Sequence, residues 1–104
     1  MTSPSEVLAS IAEQQPDVYK LGKTFGNPCL KLVSTNKVPV MAREASIVLK
    51  LPQETINMLL KEEGNRMYIP MTGKPMKEWL EVPDTYAHRW EALIGEATAF
   101  IQTS

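Results

Sequence analysis

A chain of 104 residues, 43% hydrophobic and 22% charged, has the composition of one globular domain that can close a core without metal or disulfide staples. The single cysteine, Cys29, excludes an internal disulfide and a thiolate-rich zinc site, and no apolar run approaches the roughly 20 residues that span a bilayer. The net charge of −1 hides a division: from Val18 to Lys50 six basic residues face Glu44 alone, giving +5, and the remainder carries −6.

Ser3-Pro4-Ser5-Glu6 reads as a helix start, with Ser3 capping, Pro4 at the first helical position and Glu6 closing a capping box. Val7, Leu8, Ile11 and Ala12 form its apolar stripe, and Pro16 ends it. A further turn is expected over 17–21 and a loop from Gly22 to Pro28. The spacing predicts strands over 29–34 and 38–42, joined by a turn in which Asn36 takes a positive φ. Pro39 removes a ladder donor and points to an edge or bulged position. Residues 46–51 make a third strand, completing an antiparallel meander.

Pro52 then opens a helix whose Ile56, Leu59 and Leu60 share a face, with Gly64 as its stop. Residues 67–71 and 77–82 read as two more strands joined by a Gly73/Pro75 turn. Asp84 can cap a last helix, along which Tyr86, Trp90, Leu93, Ile94, Ala97 and Ile101 form one stripe of period near 3.6. The expected fold is α+β: two layers, an antiparallel five-stranded sheet with helices on one face, in the order α-β-β-β-α-β-β-α, as one domain over 1–104. The N-terminus lacks a basic n-region, so a secretory signal is not expected and the cytosol is the expected compartment.

That order resembles the N-terminal domain of the TfoX/Sxy family and the related YjbR/MmcQ-like proteins over nearly all the chain after about Val18. Lys23-Thr24-Phe25-Gly26 looks like the family's basic-x-Phe-Gly opening, and Gly26-Asn27-Pro28 is near the YjbR-like Phe-Gly-x-Pro corner. Ile47-Val48-Leu49-Lys50-Leu51 looks like the apolar third strand with an embedded lysine. Lys74 through Pro83 looks like the lysine-rich turn, aromatic strand and Val-Pro exit. The resemblance implies a fold like that of secretion chaperones and a bacterial regulatory or DNA-associated role. Phe25, Gly26 and Pro28 are the motif residues, read as structural.

Catalytic motifs are scarce. His88 lies about 200° from the apolar stripe by helical geometry and faces water. Cys29 has no evident base and reads as a small hydrophobe. A Walker loop, a GxGxxG turn and an HExxH arrangement are absent. A non-enzymatic module without metal or cofactor is expected, with a small-molecule binder or enzyme as the rival class.

The sheet's second face carries the more specific expectation. If Leu30, Leu32, Ile47, Leu49, Leu51, Leu80 and Val82 point at the helices, alternation turns Cys29, Lys31, Val33, Val48, Lys50, Lys77 and Trp79 the other way, together with Tyr68. Lys31, Lys50, Lys77, Trp79 and Tyr68 are the candidate binding face. Basic side chains among aromatics suit phosphates and stacked bases, and apolar residues with a tryptophan suit a protein partner or a homodimer. Protein binding is the leading expectation, most simply a homodimer that buries Trp79 and its neighbours, and DNA association is the alternative. The competing reading is that the lysines only solvate their strands and that Trp79 is covered by a loop or by the sheet's own curl.

Overall fold

The computed structural model describes residues 3–24, 26–68, 73 and 78–102. In chain order it forms α1 (Pro4–Gln14), β1 (Tyr19–Thr24), β2 (Asn27–Leu32), β3 (Val40–Ala42), β4 (Ser46–Lys50), α2 (Gln53–Leu59), β5 (Arg66–Met67), β6 (Trp79–Pro83), a 3-10 turn (Asp84–Tyr86) and α3 (Ala87–Gln102). The fold is α+β, with an antiparallel sheet of six strands in the order β1-β2-β3-β4-β6-β5.

Local chemistry sets the first helix as expected. The Glu6 amide donates to Ser3 Oγ at 3.3 Å and the Ser3 amide donates back to Glu6 Oε1 at 3.4 Å, so two otherwise orphaned N–H groups are satisfied reciprocally. The helix ends at Gln14, two residues before Pro16.

The segment expected as turn and loop is instead the strand β1. It pairs with β2 from Tyr19↔Leu32 to Thr24↔Asn27 across a two-residue connection, where Gly26 takes φ 76°. Two contacts hold it. Tyr19 is buried, and its hydroxyl lies 2.8 Å from Thr98 Oγ1, which donates to the Ile94 carbonyl of α3. Gly22 leaves room for Lys31, whose Cε would lie 2.8 Å from any Cβ placed there. Among the described residues the sheet therefore has six strands rather than five.

Three further expectations change. Pro39 is not at an edge: β3 lies between β2 and β4, and Pro39 precedes its first residue, its carbonyl accepting from the Lys50 amide at 3.0 Å. α2 stops at Leu59, leaving Leu60 exposed, while Gly64 takes φ 93° five residues beyond the helix end. Asp84 opens the 3-10 turn rather than capping α3 by its side chain. Asn36 does take a positive φ, 61°. The expected strand over 67–71 is seen as Arg66–Met67, with positions 69–71 outside the described residues.

All three helices cover one face. Leu8 and Ile11 of α1, Ile56 and Leu59 of α2, and Trp90, Leu93, Ile94, Ala97 and Ile101 of α3 share a buried core with Leu30, Leu32, Ile47, Leu49, Leu51, Leu80 and Val82. This is the inward set expected from alternation. It leaves the other face of the sheet as the place to look for a site.

Candidate partner-binding face

Alternation turns Lys20, Gly22, Cys29, Lys31, Met41, Ser46, Val48, Lys50, Trp79, Glu81 and Arg66 to the second face. The middle of this face is not open. Cys29, Met41 and Val48 have no exposure and Tyr68 only 4%, and together they form a second, smaller core with Val38 and Trp79 at its border. Period-two reasoning assigns a side chain to a face but not the depth at which it lies. The candidate Tyr68 is thus a buried member of this core rather than part of an exposed binding face.

Charge surrounds that core. Lys20 and Lys31 stand directly opposite each other, and Lys50 stands opposite the half-buried Trp79. Like charges directly opposite destabilise a ladder unless solvent or a counter-ion screens them. Lys20, Lys31 and Lys50 make no ion pair among the described residues. Lys50 and Trp79 border a cleft of about 240 Å³ with Lys37, Val38 and Ile101, and Lys37 Nζ donates to the Ile101 carbonyl at 3.3 Å. At the far end of the sheet Arg43 and Arg66 converge on Glu81. The acids Glu6, Glu13, Glu54, Glu91 and Glu96 are exposed on the helices.

The sequence expectations therefore divide. Lys31, Lys50 and Trp79 come to one face, each half-buried. Lys77 and Phe25 lie outside the described residues. Gly26 is exposed, and a Cβ there would meet nothing within 4 Å, so its role is the positive φ rather than a close approach. Pro28 is an exposed member of β2 opposite Lys23. Lys20, Arg43, Arg66, Met41 and Glu81 were not singled out. The signal for Glu81 was its alternation with Trp79, and Lys20 becomes visible only once β1 is known to be a strand.

The groups able to do covalent chemistry are differently placed. Burial pushes the Cys29 thiol above its ordinary pKa, opposed in part by the charge of Lys31. His88 is exposed on α3 and borders a shallow cleft with Ser10 and Glu91, but no hydrogen bond joins these three. Among the described residues no group of three or more His, Cys, Asp or Glu could hold a metal ion, and no helix is long and apolar enough to cross a membrane. Compared with known proteins, the chain matches no family model, no curated protein and no solved structure.

Proposed function

We propose that this chain is a non-catalytic cytoplasmic interaction module whose second sheet face docks an acidic segment of a protein partner. The observation that carries this reading is the segregation of charge: Lys20, Lys31 and Lys50 without ion pairs among the described residues on one face, and exposed glutamates on the helices of the other. Complementary charge raises encounter rates and fixes orientation more than it adds affinity. Trp79, opposite Lys50, supplies the flat apolar contact that such an interface needs near its centre.

A homodimer through this face has less behind it. With Cys29, Met41 and Val48 wholly covered within one chain, the apolar area left for a second copy shrinks to the surroundings of Trp79 and Val38. Two copies would also bring their lysines together. The TfoX-type or YjbR-like assignment stays part of this proposal, resting on the order of motifs described above. It keeps a DNA-associated role as the competing version.

Trp90 has no exposure while Trp79 is half-buried, so quenching of tryptophan emission reports on the proposed face. Titration with a hexaglutamate peptide is expected to protect Trp79 from acrylamide, with affinity falling as salt rises. The double variant Lys31→Glu, Lys50→Glu should abolish binding while keeping the parent's circular dichroism. Absence of peptide binding, combined with micromolar, salt-sensitive binding of duplex DNA, would replace the acidic-protein reading by the DNA version.

A further inference from the structure

At the β5 end of the second face, Arg43, Arg66, Met67, Tyr68 and Glu81 line a cleft of about 240 Å³. Glu81 is 9% exposed and both of its oxygens are occupied. Oε2 accepts from Ser46 Oγ at 2.6 Å and lies 3.6 Å from Arg43 Nε, and Oε1 accepts from Arg66 Nε at 3.1 Å. Arg43 also donates from Nη1 to the Tyr68 hydroxyl at 3.2 Å, with its guanidinium 5.3 Å from the ring centroid.

These bonds fix what is left over. Nη2 of Arg43 and both terminal nitrogens of Arg66 have no acceptor among the described residues, and the Tyr68 hydroxyl, already accepting, keeps a proton to donate. The unused groups lining the cleft are mainly donors, and each oxygen of Glu81 already accepts one hydrogen bond. One carboxylate against two guanidiniums leaves a charge of +1; Glu81 holds Arg66 by one hydrogen bond while the Arg66 side chain stays 73% exposed, and Arg43 is held by its bond to Tyr68.

We propose that this cleft is a binding site for one further carboxylate. A single carboxylate matches the +1 and accepts from guanidinium N–H groups in the fork geometry that arginine offers. A phosphate dianion would overshoot that charge and face Glu81. The site goes deeper into the acidic-partner reading and rests on it only for the source of the carboxylate, an Asp or Glu side chain or a chain terminus.

The test follows the Nε–Hε resonances of Arg43 and Arg66 at constant ionic strength. The probes are N-acetylaspartate methylamide for a side-chain carboxylate, N-acetylglycine for a chain terminus, and inorganic phosphate and chloride as controls. A saturable shift with a carboxylate is expected, weakened about tenfold or more in Arg66→Lys, which keeps the charge but loses the fork, and weakened also in Tyr68→Phe. The tighter of the two carboxylates names the source. Shifts that stay linear, that chloride reproduces, or that survive Arg66→Lys and Arg43→Lys alike would overturn the site, as would tighter binding of phosphate. Because the probes are free small molecules, failure here leaves the hexaglutamate result standing, and failure of that titration leaves this one standing.

Discussion

Met41→Ala tests whether the second face is closed within a single chain. Met41 sits in the middle of β3, directly opposite Cys29 on one side and Val48 on the other, and all three have no exposure. Burying such a side chain contributes about 1.5–3 kcal/mol in transfer free energy, and truncating a core methionine to alanine costs about 2–5 kcal/mol. This core is small, and its neighbours Val38 and Trp79 are half-buried and able to relax, so the lower part of that range applies, about 2–3 kcal/mol. For a domain near 100 residues, at about 4–8 °C per kcal/mol, Tm should fall by about 8–24 °C. Urea unfolding followed by circular dichroism should show a lower midpoint at unchanged m-value. Met58→Ala is the control, since Met58 is 70% exposed and should change little. A Met41→Ala protein within about 0.5 kcal/mol of the parent, the usual range for surface changes, would mean that this face is open. The homodimer would then regain its apolar patch.

Leu93→Ala, in the main core at 5% exposure, should cost about 2–5 kcal/mol, and a variant melting like the parent would show that the α3 stripe packs elsewhere. Ser3→Ala removes the capping box of α1 and should cost about 1 kcal/mol by the same urea assay. Cys29 should resist alkylation at neutral pH in the native protein, since it is covered and its thiol pKa is raised by burial. The same shift has a consequence for stability. A thiol whose folded pKa exceeds its unfolded value contributes stability that is complete below the unfolded pKa and is lost as pH rises through the folded one, so Cys29→Ala should lose less stability on the alkaline side than the parent does.

Much of the architecture was legible because its causes are local. The capping box of α1, the positive φ of Asn36 and the stripe from Tyr86 to Ile101 each follow from residue chemistry at fixed spacing, and the structure shows all three. β1 was not legible because its strand character comes from tertiary partners. Gly22 reads as the start of a loop until Lys31 is seen lying across it, and Tyr19 reads as part of a turn until Thr98 receives its hydroxyl. Pro28 reads as loop for a similar reason. β3 pairs only with Cys29 and Leu30, so the missing N–H of Pro28 falls where β2 has a single neighbour. For the site, alternation put Lys31, Lys50 and Trp79 on one face. It could not show that Cys29, Met41, Val48 and Tyr68 close the middle, nor that Arg43 and Arg66 meet over Glu81 from separate strands and turns.

The most direct test of the central claim is amide chemical-shift mapping of the labelled chain on addition of hexaglutamate peptide. The largest shifts should fall on Lys20, Lys31, Lys50 and Trp79 and their strand neighbours, and should fade as salt is raised to about 0.15 M, where surface charges are screened beyond about 8 Å. Shifts concentrated on α1 and α3, or a spectrum unchanged at low salt, would contradict the assignment of the second sheet face as the docking surface.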